Sequence, residues 1–555
     1  MKFQKISATL ALASLLAAAT SCKDFYDVNK NPLAPTSTTL NTLLPVVQVS
    51  MASDLGDNVG GLSQYTMALM QQLYNTRSIG NFTQTGNSFG GQWADLYSSV
   101  LVNNELVITQ GTREQQWVYV GIAQLQKAYV YSQMVDLWGD VPYSQALKGV
   151  ENISPRFDKD EEIYNGSTDG SVQSLFSLID EGIANLSKPS SNADLTRADL
   201  IYNGSPDKWR RFGNTLKLKL YNQIRLTRDV TPNVTPLLTA SSDLLQEGED
   251  FELAYRNTTN PDNRNPGYVF DFSTNPENRI GRYFYEGMLA RNDPRMPYYF
   301  FNQVAKTAPT TTQQDYVNGP FVTVRPGSTG QYTASASTAS FQTVQGLYPI
   351  GGRYDEGKGG KTGTKEVAGK AEAPQRLLTY YARKYTEAEL QLTVLNNPVA
   401  AREAFVEALN ASFRKVNAIA TADGSPVMTA TQITGYLNRL DNGTAVPVAN
   451  SGPLNRYDKA ATNDEKLEVI MYEKYVASYG YGVDVFTDFR RTKHPRIRVS
   501  QQVANASRGL LPDDGGTIGN GVFPRRLLYP SSDLLLNPNS PKVNKAEDAP
   551  IFWEH

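Results

Sequence analysis

Residues 118–143, VYVGIAQLQKAYVYSQMVDLWGDVPY, form the stretch that decides the fold. The recurrence of apolar residues at helical spacing in this stretch predicts a long helix over about residues 114–137. The helix is expected to stop at Trp138-Gly139-Asp140-Val141-Pro142, because glycine favours a helix end and proline sets a turn. Apolar residues recur at helical spacing along one face of it, at Val118, Ile122, Leu125, Tyr129 and Val135.

Similar periodicity occupies much of the remaining chain. Paired helices of about 15 to 20 residues with short turns are typical of tetratricopeptide-like arrays, although no clean repeat consensus is present. The predicted fold class is therefore mainly α, a tetratricopeptide-like scaffold of helical pairs with long irregular loop insertions. The further helical stretches cover about 39–54, 61–75, 92–109, 170–186, 207–227, 280–290, 375–396, 398–416 and 463–480.

Two regions lack this periodicity. Residues 301–374 are mostly rich in Gly, Ser, Thr and Pro, and loops of this length in a compact protein are usually functional or disordered. Residues 481–555 are also expected to be mostly irregular. We therefore predict a single domain over 38–555, with a helical scaffold at 38–300 and 375–480 and a loop-rich, ligand-binding insertion at about 301–374.

The N-terminus has the organisation of an export signal. A basic start precedes a short apolar run, and small residues then lead to Cys22, the only cysteine in 555 residues. A lone cysteine makes no internal disulfide, and its position resembles a bacterial lipobox, with Ala19 where leucine is usual. We predict a signal peptide over 1–21, an acylated Cys22 and a lipidated tether over 22–37. The alternative is an incidental cysteine in an ordinary secretory signal.

Composition excludes several kinds of chemistry. With 53 basic and 55 acidic residues, the formal charge is −2, which gives no electrostatic basis for binding nucleic acid. Only two histidines are present, so no His-rich metal site or Cys-His pair is expected, and no cofactor is predicted. A catalytic triad would have to use His494, whose basic neighbours in the chain would disfavour the imidazolium. The protein is not expected to be an enzyme.

Six separated segments form a recognisable set. They are Trp93-Ala94-Asp95-Leu96-Tyr97 with Asn103-Asn104-Glu105, Ala128-Tyr129 with Asp136–Tyr143, Ile201–Gly204 with Lys208-Trp209 and Phe212–Leu216, Asn292-Asp293-Pro294-Arg295, Glu473-Lys474-Tyr475 with Phe489-Arg490-Arg491-Thr492, and Pro524-Arg525-Arg526-Leu527 with Tyr529-Pro530. In this order, they resemble the SusD-like branch of the SusD/RagB family of outer-membrane nutrient-binding lipoproteins. The chain departs from the family pattern at Phe486, where the family often carries Trp, and at Lys23-Asp24, which is short for the family's acidic export cluster.

The resemblance implies a SusD-like fold and a function. It implies a surface lipoprotein that captures an oligosaccharide and acts as a lid and delivery subunit for a SusC-like TonB-dependent transporter. It places the protein at the cell outer membrane, lipid-anchored and facing the exterior. Two alternatives stay open: a peptide-binding subunit of the same kind of transporter, and a glycoside hydrolase, for which no catalytic motif is present.

The aromatic residues of polar loops are the candidate ligand contacts. Sugar rings dock on aromatic planes, and aromatic side chains lose little rotamer entropy on binding. The alternative for each is an aromatic that fixes its loop to the helices, and buried structural roles are expected for Trp138, Trp209 and the double arginines. The candidates are Tyr74, Asn75, Phe82 and Phe89, then Tyr268 and Phe270, then Tyr316, Tyr332 and Phe341.

Overall fold

The structure is a computed structural model. The predicted signal peptide 1–21, Cys22 and the tether 22–37 lie outside the residues it describes. Those residues are 39–75, 84–191, 195–273, 276–305, 317–318, 321–324, 342–360, 362, 368–442, 448–496, 523–542, 544–545 and 550–554.

Helices dominate the described chain. Two π-helical turns, Ala52–Gly56 and Leu96–Leu101, continue or connect neighbouring α-helices near the N-terminus. The α-helices are α1 Leu40–Met51, α2 Leu62–Leu69, α3 Gly90–Asp95, α4 Val102–Arg113, α5 Trp117–Trp138, α6 Asp160–Asn165, α7 Leu175–Leu186, α8 Pro206–Ile224, α9 Thr231–Thr239, α10 Pro266–Ser273, α11 Arg282–Ala290, α12 Met296–Tyr299, α13 Leu347–Ile350, α14 Tyr380–Thr393, α15 Pro398–Asp423, α16 Ala430–Leu437, α17 Pro453–Lys459, α18 Asn463–Ala477, α19 Gly482–Thr492 and α20 Ser531–Leu536.

The strands are short and pair over long sequence distances. The antiparallel pairs are β1 with β5, β2 with β3, β4 with β10, β6 with β9 and β7 with β8. The strands are β1 Leu73–Asn75, β2 Val141–Pro142, β3 Phe157–Asp158, β4 Phe251–Leu253, β5 Asn278–Ile280, β6 Phe300–Phe301, β7 Val317–Asn318, β8 Phe321–Val322, β9 Val344–Gln345 and β10 Gln375–Leu378.

Helix α5 is the centre of the N-terminal half. The sequence predicts one apolar face, but nearly every side chain over 118–138 is buried, because α4, α7, α8 and α19 pack around the helix. A helix that is covered on all sides tolerates few polar residues, which explains its composition. It ends at Gly139, whose φ of 85° suits glycine, and Val141–Pro142 then pairs with Phe157–Asp158 as strands β2 and β3. The predicted stop is confirmed.

Helical pairs build the rest of the scaffold. Neighbours in the chain pack against each other in the pairs α4/α5, α7/α8, α14/α15 and α17/α18. Helix α14 also contacts α8 and α18, so the two halves of the chain share one core. The predicted mainly α, tetratricopeptide-like fold class is confirmed.

Several predicted boundaries are wrong for a common reason, tertiary pairing that overrides local preference. The stretch predicted as helix over 61–75 ends in strand β1, and the one over 375–396 begins with strand β10. Most described residues of 481–555 are irregular, as predicted, but the region opens with the 11-residue helix α19, which the sequence did not predict. That helix is short and starts at glycine, and packing of its apolar side against α2 stabilises it.

The family-like segments contact one another inside the protein. Arg295 forms ion pairs with Asp293 and, at 3.0 Å, with Glu473, which joins the fourth segment to the fifth. The backbone N–H of Leu527 donates to the carbonyl oxygen of Leu137 at 2.7 Å, which joins the sixth segment to the second. Trp138 and Trp209 are fully buried, as expected. These segments therefore hold the scaffold together.

A cluster of charged side chains lies buried between α8, α14, α18 and α19. The two Nη atoms of Arg491 donate to the two carboxylate oxygens of Glu389, and Arg225 binds the same carboxylate at 2.8 Å. Asp488 accepts from Arg491 at 2.8 Å and from Lys474 at 2.7 Å. We call these five residues the central ion cluster.

Among the described residues, no helix combines the length and apolar character needed to cross a membrane.

Glu389→Gln should lower the free energy of unfolding by about 3 to 5 kcal/mol, because it leaves the buried Arg491 and Arg225 without their carboxylate. Urea unfolding of the two proteins measures the difference. The matched control is Asp180→Asn, which removes the partner of Lys217 at a carboxylate that is 62% exposed, and it should cost less than about 1 kcal/mol. Equal effects of the two substitutions would contradict a central role for the cluster.

Candidate functional site

Five short strands form a platform next to the helical scaffold. Strand β1 pairs with β5 in the register Leu73 with Ile280 and Asn75 with Asn278. Ile280 extends the platform, because its N–H donates to the carbonyl of Thr343 and its carbonyl accepts from the N–H of Val324. Strands β6, β8 and β9 complete it through the β6/β9 pairing and the bond from the N–H of Thr343 to the carbonyl of Val322. We call this assembly the strand platform.

The strand platform brings together the ends of the segments that carry four of the nine predicted ligand contacts. The chain leaves it at Asn75, after strand β6, and at Val324, and it returns at Gln342. Phe82, Tyr316, Tyr332 and Phe341 belong to these segments and lie outside the described residues. Because the ends of the segments share one small surface, ligand contacts from different segments can act on one ligand.

Tyr74 and Asn75 are not loop residues. Both belong to strand β1, and their side chains are 2% and 3% exposed. The amide of Asn75 donates to the side-chain oxygen of Asn278 at 3.3 Å. The prediction that these two residues are accessible to a ligand is wrong, because strand pairing and burial take them into the protein interior.

Phe89 and Tyr268 are also buried, at 3% and 6% exposure. Phe89 packs edge-on against Tyr65 at a centroid distance of 4.6 Å and lies beside Trp138. Tyr268 stacks on Phe272 at 5.4 Å in a small apolar cluster beneath the strand platform. Both therefore follow the alternative reading, an aromatic that fixes its segment to the scaffold. Phe270 on α10 is half-buried and is the one described candidate with substantial exposed surface.

A buried polar network supports the strand platform. Asn278 accepts from Gln64 at 2.7 Å and donates to Asp271 at 3.1 Å. Arg279 is fully buried, and its guanidinium donates to Gln342 at 3.1 Å and to the carbonyl of Pro276 at 2.6 Å. Sequence reasoning missed this network, because its members are single polar residues, and Gln64 and Gln342 lie far from Asn278 and Arg279 in the chain.

Burial shifts the pKa values of the two charged groups in this network. Loss of water raises the pKa of Asp271 to about 6, although N–H donors from Glu277 and Asn278 act in the opposite direction. Burial also lowers the pKa of Arg279 to about 10. The network thus carries its charges in a low-dielectric setting and fixes the strands from which the loops leave.

Two acidic side chains after α1 have perturbed pKa values without forming a metal site. Burial, together with the nearby charges of Asp95 and Asp57, raises the pKa of Asp54 to about 7. Burial raises the pKa of Asp57 to about 7 as well, against hydrogen bonds from Ser53 and Tyr255. Within the described ranges, no group of three or more His, Cys, Asp or Glu side chains could hold a metal ion.

A cavity of about 180 Å³ opens between the C-terminal half of α15 and the segment before β10. Its charged groups already have partners inside the protein. Lys415 pairs with Asp250 at 2.8 Å and with Glu252 at 2.7 Å, and Lys370 donates to the carbonyl of Ala422 at 2.9 Å. The cavity therefore offers fewer hydrogen bonds to a ligand than its charged lining suggests.

His494 has a different environment from the one its sequence neighbours suggest. Its Nδ1 lies 2.6 Å from Glu468 and its Nε2 lies 2.9 Å from Asp464, both on α18. Burial disfavours the imidazolium, but these two hydrogen bonds outweigh it and raise the pKa of His494. The expectation that its basic neighbours would disfavour the charged form is wrong. Both ring nitrogens are engaged by carboxylates of α18, so His494 links the end of α19 to that helix.

The double arginines have the structural roles that the sequence indicates. Arg490 donates to the carbonyl of Arg525 at 2.6 Å, and Arg526 donates to the carbonyl of Trp138 at 3.3 Å. Phe486 makes a cation–π contact with Arg490, because its ring centroid lies 4.0 Å from the guanidinium.

Comparison with known proteins identifies the family. A family model described as SusD-like, starch-binding and associating with the outer membrane matches residues 31–530. The chain belongs to the SusD-like family. The match confirms the resemblance that the six segments indicate. The family is described as starch-binding and as associating with the outer membrane. A search of curated proteins found no match.

Solved structures of SusD-like proteins share the fold at low sequence identity. A SusD/RagB family protein from Bacteroides thetaiotaomicron is 22% identical, with a TM-score of 0.66 over 93% of this chain and 99% of that one. A chitin-binding protein is 18% identical, with a TM-score of 0.65 over 93% and 100%. A SusD homologue from Bacteroides fragilis is 18% identical, with a TM-score of 0.64 over 93% and 99%.

Tyr74→Ala should destabilise the protein by about 3 to 5 kcal/mol, because it removes a buried ring from strand β1 and leaves a cavity. Thermal and urea unfolding measure the loss. The control is Tyr380→Ala, at a half-buried tyrosine on the surface of α14, which should cost clearly less. A Tyr74→Ala protein of unchanged stability would show that this side chain is accessible after all.

The His494 clamp predicts a pH dependence of stability. A pKa raised in the folded state means that its stabilisation is fully present below the unfolded value of about 6.5 and is lost as pH rises through the folded value. The wild-type protein should therefore exceed His494→Gln in stability by about 1 kcal/mol near pH 6, where the imidazolium bonds are charged. The difference should shrink as the pH rises through the folded pKa. Urea unfolding over a series of pH values from about 6 upwards measures it, and a constant difference would contradict the clamp.

Proposed function

We propose that this SusD-like protein captures oligosaccharides at the outer membrane and delivers them to a transporter. The observation that carries the proposal is the match of residues 31–530 to a family described as starch-binding and associating with the outer membrane. A chitin-binding protein of the same fold is consistent with a glycan ligand. The neutral, tyrosine-rich composition, with 31 tyrosines and a formal charge of −2, suits an uncharged, hydroxyl-rich ligand.

The strand platform supports a site built from loops. Its buried polar network holds the strands in place, so the segments that leave it start from fixed positions. We propose that the ligand contacts are Phe82, Tyr316, Tyr332 and Phe341, with Phe270 at the edge. An aromatic ring placed in this way offers a flat apolar face to a sugar ring at a low entropic cost.

Membrane attachment and partnership complete the proposal. Acylation of Cys22 would tether the mature protein to the outer membrane, on its outer face. The partner we propose is a SusC-like TonB-dependent transporter, with the protein acting as its lid. A tether raises the effective concentration of the two partners and so favours repeated closure over the channel.

The alternatives differ in cargo and in chemistry. A peptide-binding subunit of the same kind of transporter would use the same scaffold with a different set of loop contacts. A glycoside hydrolase would need a general acid and a second carboxylate across the bond to be cleaved. Asp57 is a poor candidate for either role, since it is 4% exposed and binds Ser53 and Tyr255 inside the protein.

Calorimetry with the mature chain tests the ligand class. Neutral polysaccharides such as starch and chitin oligosaccharides should bind, whereas mixed peptides should not. Tyr332→Ala should weaken glycan binding by about tenfold, the equivalent of about 1.4 kcal/mol, while the control Tyr380→Ala binds as the wild type does. Binding of peptides in place of glycans would favour the alternative cargo, and turnover of a bound glycan would defeat a binding-only function.

A further inference from the structure

The turn after helix α1 contains a buried carboxyl group that has no cation beside it. Asp57 is 4% exposed, and its carboxyl accepts hydrogen bonds from the hydroxyls of Ser53 at 3.0 Å and Tyr255 at 3.2 Å. Within the described part of the chain, no Lys, Arg or His forms an ion pair with Asp57. A buried carboxylate without a cation is disfavoured, so this position favours the neutral acid. We call residues 53–57 the Asp57 turn.

The elements that pack on the Asp57 turn supply no compensating cation. Helices α1 and α2 contain no charged residue, and α3 contributes a further carboxylate, Asp95. Strand β10 contributes Arg376, whose guanidinium stacks on a buried tyrosine ring at 3.8 Å. Helix α19 contributes Asp484 near its start, whereas Arg490 and Arg491 near its end bind other groups. The cations on these elements are therefore engaged elsewhere.

Asp54 adds a second carboxyl to the turn. Its Oδ2 atom is buried and has no hydrogen-bond partner among the described residues. Burial, with the nearby charges of Asp95 and Asp57, raises the pKa of Asp54 to about 7. Burial raises the pKa of Asp57 to about 7 as well, because it outweighs the bonds from Ser53 and Tyr255. Both carboxyls therefore lose their protons only near neutral pH.

The Asp57 turn lies next to a support of the strand platform. The carbonyl of Asn58, the following residue, accepts from the amide of Asn278 at 2.9 Å. The N–H of Gly60 donates to the side chain of Gln64 at 3.0 Å, and Gln64 donates to Asn278 at 2.7 Å. The loop after the turn thus contacts the buried network of the platform at two points, so a movement of this loop would reach strand β5.

The backbone of this region is suited to local opening. π-Helical turns such as Ala52–Gly56 are rare, and they are found frequently at functional sites. Gly60 is exposed and has a φ of 76°, which gives the loop a pivot that suits glycine. Tyr255 lies 198 positions along the chain from Asp57, and its bond ties the turn to the segment after β4. That tie ends on the Asp57 carboxyl, so it depends on the state of this group.

We propose that the Asp57 turn is a pH-sensitive joint that controls the strand platform. The turn is closed while its carboxyls are protonated. Ionisation strengthens the bond from Tyr255, but it also places two charges in the interior, and water stabilises them only when the turn opens. Opening breaks the bond between Asn278 and Asn58 and so loosens β5. The joint itself is independent of the ligand, whereas its effect on affinity rests on the proposed function.

The direction of the pH effect follows from the raised pKa values. In the open turn the two carboxyls are hydrated and have the ordinary pKa of about 3.9. The closed turn therefore holds its protons more tightly, and opening becomes more favourable as the pH rises from about 4 to about 7. Above that range the carboxyls are ionised in both forms, so opening no longer depends on pH.

Amide hydrogen exchange of the mature chain between about pH 5 and about pH 8 tests the joint. The opening constant of residues 52–61 is the observed exchange rate divided by the rate of an unstructured peptide at the same pH. It should rise at least about tenfold up to about pH 7 and then level off. Residues 278–280 of β5 should follow with a smaller rise, while the buried helix α5 stays protected.

The double variant Asp54→Asn with Asp57→Asn keeps the shape of the neutral carboxyls and cannot ionise. Its opening constant should stay low at every pH. The matched control is Asp180→Asn, at a carboxylate on α7 that is 62% exposed, and it should rise as the wild type does. No rise in the wild type, or an equal rise in the double variant, would overturn the joint.

Tyr255→Phe tests the same joint without a change at either carboxyl. It removes one tie of the closed turn, so residues 52–61 should exchange faster than in the wild type already at about pH 5, where the wild type is closed. An unchanged exchange rate at this pH would overturn the proposal. This variant also keeps the test decisive if the double asparagine variant does not fold.

Calorimetry with oligosaccharides separates the joint from the proposed function. The glycan affinity of the wild type should fall by about fivefold from about pH 5 to about pH 7, and that of the double variant should not. An equal pH dependence in both proteins would overturn control of the platform. If neither protein binds glycan, the proposed ligand is wrong, and the exchange of residues 278–280 decides whether the joint controls the platform.

Discussion

Neutralisation of buried charge in the central ion cluster is the constraint on which the rest of the structure depends. Glu389 on α14 is fully buried, and it is acceptable there only because Arg491 from α19 and Arg225 from the end of α8 converge on it. Asn222 donates to the same carboxylate at 2.8 Å. A shift of any of these helices by one turn would leave a charge without a partner, so the cluster fixes the relative register of helices that are distant in sequence.

Asp136 fixes the chain end in a comparable way. Its carboxylate accepts from Tyr164 at 2.6 Å and from the indole N–H of Trp553 at 3.0 Å, and its carbonyl accepts from Arg490. Burial raises the pKa of Asp136 to about 6, against the opposing influence of nearby cations and of Tyr164. The C-terminal segment is therefore part of the scaffold, and it covers the end of α5 where the helix carbonyls need partners.

The fold was largely predictable where it depends on interactions between residues that are close in sequence. The length of α5, its stop at Gly139 and the burial of Trp138 follow from periodicity, turn chemistry and residue type. The candidate site was much less predictable, because Tyr74 looks like a loop aromatic until Arg279, more than 200 residues later, is seen opposite it in β5. His494 shows the same limit, since the carboxylates that decide its charge come from α18 and not from its basic neighbours in sequence. The burial of Tyr74 and the surroundings of His494 depend on contacts between residues that are distant in the chain, and a single sequence does not reveal those contacts.

The division between scaffold and loops has an energetic consequence for specificity. The family-like segments include Arg295 and Glu473, which are buried in ion pairs whose loss would cost stability. Substitution of these buried residues would therefore lower stability, so it is not a route to a new ligand specificity. In the proposed site, substitutions in the segments that leave the strand platform would alter ligand contacts, while the buried network of Asn278 and Arg279 keeps the strands in place. Specificity can therefore change at a small cost in stability, provided that the platform stays rigid enough to limit the entropy lost when the loops bind. For the proposed site, the buried polar residues beneath the loops therefore matter as much for affinity as the aromatic residues that are proposed to contact the ligand.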